Sequence, residues 1–192
     1  MRRRFYPSLV ASAILVAGGP SIKAGTELGT NADASGNNAT AIGANTTASG
    51  VKSTALGFGS TASGFTSSAL GDAAQATGDY SIAIGDGEAE ASGRASTAIG
   101  YGSTATGSYS IALGDLAEAS ETNTIALGRD STASGARSTA IGYIATASGD
   151  GSTAVGDQAQ AAAFYSTALG DGATASSLYS TAIGYISEAE GQ

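Results

Sequence analysis

A fourteen-residue periodicity constrains this chain more than any other feature. The pattern small–β-branched–Ala–aliphatic–Gly recurs, as in Ser53-Thr54-Ala55-Leu56-Gly57 and Ser67-Ser68-Ala69-Leu70-Gly71. Its closing glycines are Gly43, Gly57, Gly71, Gly85, Gly100, Gly114, Gly128, Gly142, Gly156, Gly170 and Gly184; nine of the ten intervals are 14 residues, and Gly85 to Gly100 is 15. Leu28-Gly29 lies one period upstream and brings the phased copies to twelve. An alanine precedes the aliphatic residue in all eleven complete copies, Ala41 through Ala182. Half a period later runs a second column, Ala34, Ala48, Ala62 and onward to Ala189, usually followed by Ser or Thr and then Gly. Phased copies of this kind mark a repeat architecture in which each unit packs only against its neighbours.

Two other periodic folds are excluded. Collagen needs Gly at every third position and abundant Pro, and the chain has 2 Pro. A coiled coil needs large apolar a and d residues on good helix formers, whereas each half-period here carries Gly with Ser, Thr or Ile. Plain disorder does not hold an aliphatic residue at one column eleven times.

Strands explain the spacing. Alternation in Ser53-Thr54-Ala55-Leu56-Gly57 sends Thr54 and Leu56 to one face and Ser53 and Ala55 to the other. The Thr column becomes Ile at Ile82, Ile111 and Ile125, which marks the Thr and Leu face as the expected inner one. On that reading Leu113, Leu127 and Ile141 are inward-facing neighbours in successive coils. The second motif alternates too, with Thr46 and Ala48, or Ser60 and Ala62, on one face. Glycine at each half-period permits tight corners. One period thus makes two short strands and two turns. The expected fold is all-β, a parallel β-solenoid of about twelve 14-residue coils, stacked at about 4.8 Å into a rod roughly 55–60 Å long. The extra residue between Gly85 and Gly100 falls in Asp86-Gly87-Glu88-Ala89-Glu90. A slip inside a strand would invert its faces, so it is expected in a surface bulge.

Each coil is thin. Burying one Leu or Ile gains roughly 2 kcal/mol, while ordering each residue's backbone costs about 1–2 kcal/mol. Ladder hydrogen bonds supply part of the difference, and burial against other copies of the chain is expected to supply the rest.

The first 24 residues differ from the repeats. Arg2-Arg3-Arg4 precede a nine-residue apolar run, Leu9 to Ala17, which Gly18, Gly19 and Pro20 break; Ala24 offers a small residue for cleavage. The run is too short to span a bilayer as a helix, which takes about 20 apolar residues. It reads as a secretory signal over residues 1–24, with the repeats occupying 25–192. No later segment reads as a transmembrane helix, so membrane insertion is not expected of it.

Composition removes several function classes. The chain has no His, Cys or Trp, which excludes His and Cys general bases or nucleophiles, thiolate metal sites and disulfides. It carries 8 basic and 16 acidic residues; without Arg2, Arg3, Arg4 and Lys23 the balance is 4 against 16, a net charge of −12. That surface repels phosphate backbones, so no nucleic-acid partner is expected. A repeating array also gives Asp, Glu, Ser or Tyr no distinctive pocket. The expectation is no enzyme, no catalytic residues, no cofactor and no metal.

The columns that vary carry what individuality the coils have. After the motif glycine stand Phe58, Asp72, Asp86, Tyr101, Asp115, Arg129, Tyr143, Asp157, Asp171 and Tyr185, with an aromatic at every third coil. Ser96–Tyr101, Ser138–Tyr143 and Ser180–Tyr185 each read Ser-Thr-Ala-Ile-Gly-Tyr, which points to duplication of a unit of about 42 residues. A further set of tyrosines stands two residues before the β-branched column. The candidate surface-contact residues are Tyr80, Tyr101, Tyr109, Tyr143, Tyr165, Tyr179 and Tyr185, because Tyr supplies large amphipathic area at binding sites. The plainer reading is structural: Asp favours turns, and Tyr covers a strand edge. Asp72 and Asp86 are expected to stack about 4.8 Å apart, but the Gly- and Asp-rich nonapeptide of calcium-binding solenoids is absent.

At these residues the chain resembles the YadA-like head of trimeric autotransporter adhesins. Asn123-Thr124-Ile125-Ala126-Leu127-Gly128 matches the family's Asn-Ser-Val-Ala-Ile-Gly strand, and Ser60-Thr61-Ala62-Ser63-Gly64 matches the Ser-x-Ala-x-Gly strand that follows. The resemblance covers about residues 26 to 191. It implies a left-handed parallel β-roll with three chains side by side, exported to the cell surface and attaching to host cells, matrix or other surfaces. The implied partners are the chain itself, as a homotrimer, and host matrix or cell-surface macromolecules. The segment reads as a head, cell-surface or secreted, without the family's neck, coiled-coil stalk and β-barrel anchor. It departs from the family's collagen-binding motif: Lys52, Thr66, Tyr80, Ala95, Tyr109, Arg137, Gly151, Tyr165 and Tyr179 occupy the Asn position, and Thr mostly occupies the Val position.

The alternative is a secreted ice-binding β-solenoid, in which Thr139, Thr153, Thr167 and Thr181 would form a hydroxyl array. The Ile interruptions and the Leu and Ile on the same face place that column inward, against this reading.

Overall fold

The structure is a computed structural model and describes residues 25–191. The secretory-signal reading of residues 1–24 lies outside the described residues. Strands run in chain order from β1 (Thr26–Leu28), β2 (Thr40–Ile42) and β3 (Thr47–Ala48) to β23 (Glu188–Ala189), alternating three-residue and two-residue strands from β2 onward. The three-residue strands form one 12-stranded sheet and the two-residue strands an 11-stranded sheet. All pairings are parallel, and each strand pairs with the strand one period away: Thr54, Ala55 and Leu56 lie beside Ser68, Ala69 and Leu70. This is the parallel β-solenoid of about twelve coils that the periodicity predicts.

Each coil bonds both of its neighbours. The Thr54 N–H donates to the Ser67 carbonyl (2.9 Å), while the Gly57 N–H donates to the Ile42 carbonyl of the preceding coil (2.9 Å). Nearly every backbone group of a strand or corner is satisfied in this way, which a two-residue strand could not achieve alone.

The interior corrects the expected faces. Between the sheets lie only alanine, serine and threonine side chains: Ala55, Ala69, Ala126 and Ala140 from one sheet, Ala62, Ala76, Ala133 and Ala147 from the other, with Ser53, Ser60, Ser67 and Thr124 beside them, all buried. The aliphatic column points outward. Leu113 and Leu127 are each 38% exposed, and Ile141 is half-buried. The expected alternation is present, with its polarity inverted. The reason is the width of the coil, because the two sheets approach closely enough that nothing larger than Thr fits between them. Ser53, Ser67 and Ser96 hydroxyls donate to carbonyls three residues upstream (2.7–2.8 Å), so the polar part of the core is paired at these positions.

The motif glycines hold this stacking. Gly57 has φ +135°, and a Cβ there would lie 2.0 Å from the carbonyl oxygen of Gly71 in the next coil.

The fifteen-residue period resolves as expected. Gln75 and Ala76 pair with Glu90 and Ala91, and Ile84 pairs with Ile99, so register is intact on both sides. The additional residue sits in the corner between β8 (Ile82–Ile84) and β9 (Glu90–Ala91), where Gly87 and Glu88 both have positive φ (67° and 66°). Deleting Gly87 is therefore expected to leave the far-UV β signal intact, with a stability change under about 1 kcal/mol by urea unfolding. Loss of that signal would place the extra residue inside a strand.

Candidate functional site

Two corners per coil carry the variable side chains. The first follows each three-residue strand, as Gly114-Asp115-Leu116; the second precedes it, as Ser108-Tyr109-Ser110. Each corner turns through one left-handed residue, save the enlarged one, which has two, Gly87 and Glu88. At the second corner these include Tyr80, Tyr109, Tyr165 and Tyr179, with φ between 52° and 60°, and at the first Leu116, Ile144 and Ile186, with φ between 49° and 55°. Such a conformation costs a non-glycine residue about 1–2 kcal/mol. Stacking compensates: the Tyr80 and Tyr109 N–H groups donate to the Phe65 and Arg94 carbonyls of the preceding coil at 2.7 and 2.8 Å. Asn123 at this column has the same geometry (φ 59°).

All seven candidate tyrosines lie at these corners and are exposed. Tyr80, Tyr109, Tyr165 and Tyr179 occupy the second corner, and Tyr101, Tyr143 and Tyr185 the first. Tyr179 and Tyr185 are the most exposed, at 70% and 75%.

The second corner gathers tyrosines with residues that the sequence reading did not single out. Phe65 packs edge-on against Tyr80 at 5.3 Å between centroids. Phe164 does the same to Tyr165 (4.3 Å) and Tyr179 (6.1 Å), while the Tyr165 and Tyr179 rings lie parallel at 5.8 Å. The Arg94 guanidinium lies 5.6 Å from the Tyr109 ring centroid and donates to its hydroxyl. At the first corner Arg129 sits 4.4 Å over the Tyr143 ring and 3.4 Å from Asp130. The Tyr101 ring covers Gly87, where a Cβ would approach it to 2.3 Å, and Tyr165 covers Gly151 likewise at 2.6 Å.

The aspartates staple coils together. Asp86 Oδ1 accepts from the Asp72 N–H (3.0 Å), Asp79 Oδ1 from the Phe65 N–H (2.9 Å), Asp115 Oδ1 from the Tyr101 N–H (3.3 Å), and Asp150 Oδ1 from the Ala136 N–H (3.0 Å). The turn reading of these carboxylates accounts for what they touch. Among the described residues no three Asp or Glu gather where they could hold a metal ion.

The feature that sequence reasoning missed is the outer face of the 12-stranded sheet. Its outward positions, Thr40 and Ile42 through Thr181 and Ile183, include no charged residue. The outer face of the other sheet carries Thr, Ser, Gln and Glu instead, as at Thr104, Thr106, Glu118 and Ser120. One signal was available. The column tolerating only Ala was the most tightly constrained in size, while its aliphatic neighbour varied among Leu, Ile and Val. The Thr column (Thr139, Thr153, Thr167, Thr181) is outward as well, correcting its inward placement, but it shares its face with the aliphatic ladder rather than forming a hydroxyl surface.

Matches to the YadA head domain repeat (2 copies) tile the chain between residues 28 and 187, with segments such as 34–60, 62–87, 91–117, 119–145 and 161–187. No curated protein matches the chain. Among solved structures, the collagen-binding domain of the Yersinia adhesin YadA is similar at 23% identity and a TM-score of 0.46, over 90% of this chain and 83% of that one.

Proposed function

The chain belongs to the YadA head-repeat family, and on that premise we propose that residues 25–192 are the head of an exported homotrimeric adhesin. It is a non-catalytic module that attaches a cell to matrix or host-cell surfaces, and residues 1–24 are its secretory signal. The observation that carries this reading is the uncharged aliphatic face. A monomer with net charge −12 over the repeats would leave exposed a ladder from Ile42 to Ile183. At about 4.8 Å per strand the ladder is roughly 48 Å long. Isolated soluble proteins rarely expose apolar surface so continuous. Turning this face toward a three-fold axis buries it against two further copies and supplies the burial that the Ala and Ser interior lacks.

The seven tyrosines are the contact residues of the assembled head. Tyr179 and Tyr185, the most exposed, are assigned to external macromolecules together with Phe164 and Leu178. Three chains multiply weak contacts, and such avidity is worth about 10²–10⁴ in affinity without a strong individual site.

Sedimentation of the secreted protein at micromolar concentration is expected to give three times the monomer mass. A stably folded monomer would overturn the trimer. Tyr179→Ala with Tyr185→Ala should lower retention on immobilised matrix proteins by about tenfold or more through loss of avidity. Undiminished retention by a folded trimer would remove these residues from the contact surface.

A further inference from the structure

The two corners of a coil vary together, and this pairing points to a seam between copies of the chain. Of the basic residues in the described segment, Lys52, Arg94 and Arg137 stand at the second corner. The first corners of those same three coils carry Phe58, Tyr101 and Tyr143. Aromatics occur at the first corner in only one further coil, at Tyr185, where the second corner carries Tyr179. Other coils pair a second-corner tyrosine with a first-corner aspartate: Tyr80 with Asp86, Tyr109 with Asp115, Tyr165 with Asp171. Duplication of the 42-residue unit accounts for the spacing. It does not account for a cation kept as either Lys or Arg, and kept at Arg94 although it stands one residue earlier than Lys52 and Arg137.

Within one chain these partners cannot meet. Arg137 and Tyr143 flank β16 (Thr139–Ile141) at its opposite ends, about 20 Å apart along an extended backbone. In a parallel cyclic assembly with the aliphatic face toward the axis, the first corner of each protomer meets the second corner of the next. Symmetry then places residues of the same coil at the same height.

We infer that, from the coil of Lys52 to the coil of Tyr165, each protomer's second corner docks on its neighbour's first corner, with cation–aromatic contacts at three levels and tyrosine–carboxylate contacts at three others. This rests on the trimer proposed above and names the partner of five of its tyrosines, Tyr80, Tyr101, Tyr109, Tyr143 and Tyr165, as a second copy. Arginine and lysine over aromatic faces suit such a seam, since the contact tolerates partial hydration. Tyr143 is held beneath Arg129 of its own chain and keeps 37% of its surface exposed. Lys52 and Arg137 form no ion pair among the described residues. The coils with Asp79 and Asp86 and with Asp150 and Asp157 oppose like charges, and Asp79 and Asp150 are engaged by the Phe65 and Ala136 N–H groups.

The absence of native Cys permits a direct test on the full secreted chain. Arg137→Cys with Tyr143→Cys is expected to be joined by a short bismaleimide into a covalent trimer on denaturing gels, since an Arg–Tyr contact holds its Cα atoms beyond the roughly 7 Å that a disulfide spans. Arg137→Cys with Asp171→Cys, two coils or about 10 Å out of level, should give about tenfold less. Arg94→Cys with Tyr101→Cys is run in parallel, so that a folding defect in one pair does not decide the matter. Sedimentation of the same samples separates the two readings. A trimer in which matched pairs cross-link no better than the mismatched pair overturns the seam and leaves the trimer standing. A folded monomer overturns the trimer, and the seam with it.

Discussion

Gly57→Ala should destabilise the solenoid by about 4 kcal/mol, while Gly59→Asn, two residues later, should change it by no more than about 0.5 kcal/mol. Both glycines have positive φ, but they differ in backbone region and in the space beside them. Gly57 sits at φ +135°, and its Cβ would lie 2.0 Å from the Gly71 carbonyl oxygen of the next coil. Gly59 sits at φ +64° with nothing within 4 Å of the added atom, in the left-handed region that Asn adopts readily. Opening the first site means separating two hydrogen-bonded coils, and in a solenoid that disruption falls on the neighbour interface that supplies stability. Urea midpoints compare the two variants. Equal midpoints would show that the coils are not packed backbone to backbone.

Ala126→Leu and Leu127→Asp should fail in opposite ways. Ala126 is fully buried and in register with Ala112 and Ala140. Three added heavy atoms would fill a gap already closed by small side chains on the facing sheet, an overpacking cost of about 3 kcal/mol. The neighbouring Leu127 points outward at 38% exposure. An aspartate there meets water in the isolated chain, so the far-UV β signal should persist. In the proposed trimer it would place three carboxylates at one level of the apolar axis, and the trimer mass should be lost at micromolar concentration. Circular dichroism and sedimentation on both variants decide between the faces. Unfolding by Leu127→Asp with tolerance of Ala126→Leu would restore an aliphatic interior.

Much of the architecture was legible before any coordinates. The 14-residue phase, with Gly43 to Gly184 at one column and Ala34 to Ala189 at another, determines a parallel stack of two-strand coils. A turn of constant length can only bring each strand beside its own copy. The odd fifteenth residue could be placed in a corner from register alone. The corner roles of Asp72, Asp86 and Asp115 follow from turn chemistry, whereas that of the tyrosines, expected to cover a strand edge, does not.

Polarity was not legible. Alternation says that Thr54 and Leu56 share a face and that Ser53 and Ala55 share the other, but a period of two carries no sign. Habit assigns the larger apolar side chains to the inside. Only the tertiary structure reveals how closely the two sheets approach, and that distance admits Ala, Ser and Thr while excluding Leu and Ile. The short corners built around Gly57 and its equivalents set the distance, which is a property of the closed coil and not of any strand within it. The same closure turned the aliphatic ladder outward and brought Arg94 onto Tyr109, Arg129 onto Tyr143 and Phe164 onto Tyr179. Such contacts join neighbours whose separation depends on how tightly each coil closes and stacks.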